Sequence, residues 1–189
     1  MWNMEMFEKT RSIALAAAAM ASIGAVTSVQ AATVNAVEVT NYAPGTGITD
    51  PNRKVTGNAL GAANGNFLSL GLGGSAVFSF GTNFGSPGAV FEITNGSRSQ
   101  YVETADIFGS LDGLSWTKLA SITNATLSNT FTFSGVYAFL KVSDTSPAGA
   151  GRDGFDIDSI SVSAVPVPAA GILLLGALGG LAAVRRRKA

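Results

Sequence analysis

The stretch 153-DGFDIDSISVSA-164 decides the fold. From Phe155 to Ser163 the residues suit a β-strand, in which successive side chains point to opposite faces. In a regular strand, Asp156 and Asp158 share a face with Ile160 and Val162, while Phe155 and Ile157 point the other way. If Ile160 and Val162 face a core, two carboxylates continue the apolar row toward one end of the domain. Burial of unpaired carboxylates is very costly, so something must neutralise them. The choices are a cation, an arginine such as Arg53 or Arg152, backbone N–H groups, or solvent at the tip. A hard cation such as Ca²⁺ takes several carboxylate and carbonyl oxygens. Asp153, Asp156 and Asp158 offer such oxygens, and Asp50, Asn52 or Asp144 are further donors. The spacing is not that of an EF-hand loop.

Working outward, residues 32–164 carry no long helical periodicity. Short apolar runs are split by glycine, asparagine and serine, a pattern of strands and turns. The pattern predicts strands at 34–40, 67–70, 76–80, 89–93, 105–110, 117–122, 130–133, 137–142 and 155–163. That number of short strands in one domain predicts an all-β, two-sheet antiparallel sandwich. Core candidates are Phe78, Phe80, Phe91, Ile93, Ile107, Trp116, Leu119, Phe131, Phe133, Phe139, Leu140 and Ile160. The segment 45–65 is rich in glycine and asparagine and reads as a long loop, a length uncommon unless the loop binds something or moves. Ser110-Leu111-Asp112-Gly113 reads as a hairpin connection, since Asp and Gly suit tight turns. Trp116 then opens the return strand as a core residue, with ligand stacking as the alternative.

Several pieces, taken in order, resemble a discoidin-like, galactose-binding-like jelly roll of bacterial surface proteins. They are 69-SLGLGGS-75, 90-VFE-92, 103-ETADI-107, 110-SLDGLSW-116 and 154-GFDIDSI-160, where Ser159 stands in place of the usual alanine. The resemblance implies a non-catalytic binding fold, often for carbohydrate and often with a structural calcium. It does not carry a sugar site onto particular residues.

The two ends have another character. Lys9 and Arg11 precede an alanine-rich apolar stretch from Ile13 to Val29, and small residues stand at Val29 and Ala31. This is the layout of an export signal cleaved after Ala31. At the other end, Val165-Pro166-Val167-Pro168-Ala169 leads into an apolar run of 16 residues, Ala169 to Val184. Sixteen helical residues span about 24 Å, and the preceding four extend this toward the ~30 Å of a bilayer core. Arg185, Arg186, Arg187 and Lys188 then stay on the cytoplasmic side, by the positive-inside bias. The arrangement resembles the PEP-CTERM sorting signal in its VPLPA-type variant, with Val167 at the position of leucine. That resemblance implies export by the Sec machinery and transient anchoring in the inner membrane by a transmembrane helix. An exosortase-like protease then processes the tail, and the protein passes to the surface or matrix of a Gram-negative bacterium. The domains are thus 1–31, 32–164 and 165–189.

Composition narrows the chemistry. The chain of 189 residues has no cysteine and no histidine, which removes disulfides, thiolate metal sites and the commonest general base. Residues 32–165 hold ten acidic and six basic residues, a poor match for a nucleic-acid backbone. Glu92 and Glu103 invite a glycosidase reading, since paired carboxylates can serve as acid and nucleophile. Solvated strand residues are the plainer account, and no hydrolase elbow or phosphate loop is present. Asn95-Gly96-Ser97 and Asn124-Ala125-Thr126 match a glycosylation sequon but read better as turns. The expectation is a non-enzymatic surface domain that binds polysaccharide. The rivals are a purely structural matrix component and an exopolysaccharide hydrolase.

Overall fold

The computed structural model describes residues 31–94, 97–149 and 151–166. Those residues form an antiparallel sandwich of nine strands. They are β1 (Thr33–Asn35), β2 (Glu38–Ala43), β3 (Leu68–Ser69), β4 (Ser75–Glu92), β5 (Thr104–Ser110), β6 (Thr117–Thr123), β7 (Ser128–Phe131), β8 (Tyr137–Asp144) and β9 (Asp156–Ala164). One layer runs β2–β4–β8–β5–β6, using the first half of β4. The other runs β7–β4–β9, using its second half, with β1 and β3 sharing the far edge of β9.

The long β4 joins the layers. The sequence suggests two strands here, 76–80 and 89–93, because the glycines between them look like a turn. Instead the chain stays extended and changes layer where its pairing with β8 slips between Ser79 and Phe84. Phe80 and Phe84 meet edge to face at this crossing, with ring centroids 4.9 Å apart. The predicted strand 34–40 is likewise divided into β1 and β2, which join opposite layers.

Phe78, Phe84, Ile107, Leu140 and Val142 pack with Val90, Ile160 and Val162 in one core. Phe80 and Phe131 are buried with them, and Leu119 and Phe133 pack against its edge. Phe91, Ile93, Trp116 and Phe139 are only partly buried and lie outside this core. The reason is alternation. Leu140 faces inward, so neighbouring Phe139 faces out, and the same holds for Val90 and Phe91. Trp116 lies under the Lys141 ammonium, whose Nζ is 4.5 Å from its ring centroid and 4.9 Å from that of Phe108. A cation over an aromatic face is attracted by the ring quadrupole. Aromatic identity marks a strand in this sequence, but it does not say which face.

Among the described residues no helix is long and apolar enough to cross a membrane. Most of the export signal, residues 167–189 of the sorting tail including Arg185 to Lys188, and Asn95 and Gly96 lie outside the described residues.

Candidate functional site

The loops at one end of the sandwich enclose a polar cavity of about 420 Å³. Three parts of the chain build it. The segment after β2 supplies Asp50 and Arg53, the approach to β5 supplies Tyr101 and Glu103, and the entry to β9 supplies Asp153 and Asp156. The 45–65 segment is not featureless. It contains a bridge between Thr46 and Leu72 and two short 3-10 turns, Pro51–Lys54 and Thr56–Ala59. Asp50 caps the first turn by accepting from the Asn52 N–H at 2.9 Å.

The glycines of the 69–75 motif are needed beneath the cavity. Backbones of three segments touch there: Gly45 N–H donates to the Leu70 carbonyl at 2.8 Å, and Leu72 N–H to the Thr46 carbonyl at 2.8 Å. Gly154 has φ +79°, and a Cβ placed on it would stand 2.5 Å from the Gly71 carbonyl carbon. Only glycine satisfies both the backbone angle and the approach.

The register conflict at DGFDID is resolved by a β-bulge. Val90 pairs with Ile160, Phe91 with Ser159 and Glu92 with Ile157, which leaves Asp158 as the extra residue. A bulge breaks the two-residue alternation. Ile157, not Asp156 or Asp158, therefore continues the row of Ile160 and Val162, contrary to the face expected from a regular strand. Both aspartates are nevertheless buried, at 2% and 4% exposure.

Each predicted metal ligand has a separate environment. Asp158 accepts from the Asn64 and Gly65 N–H groups at 2.9 and 3.0 Å. Asp153 pairs with Arg53. Asp156 lines the cavity, and its Oδ1 is buried with no hydrogen-bond partner. Asp144 is also engaged: its Oδ1 accepts from Phe155 N–H at 2.9 Å and its Oδ2 from Gly73 N–H at 2.8 Å. Two of the four neutralising partners open in the sequence, an arginine and backbone N–H groups, are thus used. Among the described residues no three acidic side chains gather closely enough to hold a metal. As arranged, Asp153, Asp156 and Asp158 do not fit a single Ca²⁺ site.

Burial pushes Asp156 up to about 8, opposed by the neighbouring Ser69 hydroxyl and by Arg53, with the nearby Asp153 adding to the shift. Burial also pushes Glu103 up to about 9, with Asp156 and Glu92 close by. Glu103 lies beside Glu92, which burial likewise raises. Glu92 is 1% exposed, accepts from Thr94 Oγ1 at 2.6 Å and has the Arg98 Nε at 3.7 Å. It is not part of the cavity lining. Asn124 locks this corner, since its Oδ1 accepts from Glu103 N–H at 3.0 Å and its Nδ2 donates to the Tyr101 carbonyl at 2.5 Å. At 1% exposure Asn124 is the turn residue expected, closed to modification in the folded domain.

Sequence reasoning named Glu103 and Asp156 but did not join them, and it missed Tyr101. The only available signal was that Tyr101 directly precedes a strand rich in motif residues. The hairpin at Asp112 forms as expected, with Oδ1 accepting from Leu114 and Ser115 N–H at 2.8 Å each.

No family profile and no curated protein matches the chain by sequence. Solved structures do match in shape. The CBM32 module of AlyQ, solved in complex with 4,5-unsaturated mannuronic acid, has a TM-score of 0.50 at 13% identity. The match covers 69% of this chain and 97% of that one. A pectin-binding carbohydrate-binding module has a TM-score of 0.48 at 14% identity, covering 75% of this chain and 95% of that one. A CBM32 module produced by Clostridium perfringens has 0.45 at 14%, covering 74% and 97%. At such identities the AlyQ likeness establishes the fold, a jelly-roll β-sandwich of the kind carbohydrate-binding modules adopt, and the two lower scores add nothing to it.

Proposed function

We propose that this chain is an exported, non-catalytic surface protein whose sandwich binds polysaccharide in the cavity at its loop end. The observation that carries the reading is a cavity lined by one aromatic side chain, Tyr101, and several carboxyls, set in a fold shared with a carbohydrate-binding module. Sugar sites combine apolar or aromatic surface with a few fixed polar groups, and 420 Å³ is within the range of small-ligand sites. The glycosidase reading loses the pair that suggested it, because Glu92 does not line the cavity, where Glu103 instead stands with Asp156. A glycosidase needs both carboxyls at the scissile bond.

The export signal, the sorting tail and the exosortase-like processing complete the proposal, and they rest on the sequence patterns at the two ends. A structural Ca²⁺ stays part of it only in a form that uses donors other than the three aspartates together. The test is a glycan array probed with the purified full-length chain in detergent. Binding to a defined set of polysaccharides that is lost in Tyr101→Ala supports the reading. Absence of binding to every glycan, or release of reducing ends from one of them, overturns it.

A further inference from the structure

The charged groups around the cavity are unequally engaged. Arg53 is taken by Asp153, and Asp50 caps its own turn. Arg152 is turned onto backbone, donating to the Val102 and Gln100 carbonyls at 2.8 and 2.9 Å, with its guanidinium 5.7 Å from the Tyr101 ring centroid. That leaves Asp156, since Glu103 is held at the Asn124 corner, where Asn124 Nδ2 donates to its Oε2 at 3.5 Å. Asp156 is 2% exposed, lines the cavity and has an oxygen with no partner. A buried polar atom without a partner is costly and rare in folded proteins. Tyr101, 38% exposed, stands at the mouth.

We infer that the cavity takes an amino sugar in its ammonium form, with the amine of a hexosamine residue donating to the free oxygen of Asp156 while the ring lies against Tyr101. This deepens the polysaccharide reading and rests on it. An ammonium has three donors and needs only a few acceptors, whereas Ca²⁺ needs six to eight oxygens. Asp156 supplies an unpartnered acceptor for the first, and no triad of acidic side chains is present among the described residues for the second. Burial keeps a proton on Asp156 in the empty cavity, and an ammonium binds as that proton is released to solvent, leaving the carboxylate to accept from it.

The test is calorimetric titration of the full-length chain in detergent, with four probes: a fully deacetylated glucosamine oligomer, its N-acetylated counterpart, a galacturonate oligomer and CaCl₂. The deacetylated oligomer should bind at least about tenfold more tightly than the other two sugars, about 1.4 kcal/mol. Asp156→Asn should remove that preference. Tyr101→Ala, at an exposed position that leaves the fold intact, should weaken every sugar alike. Equal binding of acetylated and deacetylated oligomers, or preference for galacturonate, overturns the ammonium inference and leaves polysaccharide binding standing. Silence from all three sugars, together with a blank array, overturns both. A Ca²⁺ isotherm abolished by Asp156→Asn also overturns the inference, in favour of a metal site.

Discussion

Asp156 and Glu103 titrate higher in the folded chain than in the unfolded one, where carboxyls titrate near 4. Their contribution to stability is therefore complete below about pH 4 and is lost as pH rises through 8 to 9. Asp106, held low chiefly by its hydrogen bond with Lys118, works in the opposite sense and loses its contribution in acid. The melting temperature should thus be highest in mild acid and fall between about pH 5 and 9. In the Asp156→Asn, Glu103→Gln double variant, whose side chains stay neutral, the slope should be shallower. A wild-type melting temperature that climbs across this window would refute the account. None of this was legible in the residues alone. Glu92 and Glu103 stand out in the sequence as paired carboxylates, but their meeting depends on the end of β4 and the approach to β5 coming together beside Asn124, which follows β6 and accepts from Glu103 N–H. The pairing of Arg53 with Asp153 spans 100 positions, a separation that no local pattern encodes.

The strands themselves were far more legible than their faces. β5, β6, β8 and β9 lie within two residues of the ends that the run of apolar and turn residues suggests. The errors came where alternation is interrupted: the layer change in β4 and the bulge at Asp158. An unpaired extra residue inverts every face beyond it. The glycine-rich 69–75 motif has the opposite character, since its meaning lies in backbone contact. Gly154→Ala tests that meaning. Left-handed φ alone costs a non-glycine residue about 1–3 kcal/mol, and contact with the Gly71 backbone adds to it. Gly61 also has a left-handed φ, of +77°, but open space around it. Gly154→Ala should therefore lower the denaturation midpoint clearly more than Gly61→Ala. Equal losses would show that the close approach contributes nothing.

At the scale of the whole molecule, the β-sandwich followed from strand number, turn spacing and the ordered resemblance to jelly-roll domains. The place of the cavity did not, because it is made by loops from three distant parts of the chain. The ends of the domain come together away from it. Ala164 N–H donates to the Ala32 carbonyl at 2.8 Å, and Val165 N–H to the Asn83 carbonyl at 3.0 Å. If both ends are removed during export, intact-mass measurement of surface material should give a chain that starts near Ala32 and stops near Val165. A full-length mass in the cytosol, still carrying Arg185 to Lys188, would sink the export proposal. The position of β9 has a mechanical consequence. Asp156 opens the strand at the cavity and Ala164 closes it beside the departing chain. β9 is flanked by β4 on one side and by β1 and β3 on the other. Hydrogen bonds in an antiparallel ladder lie across the strands. A pull between a ligand at Asp156 and the chain beyond Ala164 therefore runs along β9 and loads these bonds sideways, in shear. They must give way together, not one after another as in a zipper, so the domain is braced along the line on which a bound polymer would tug.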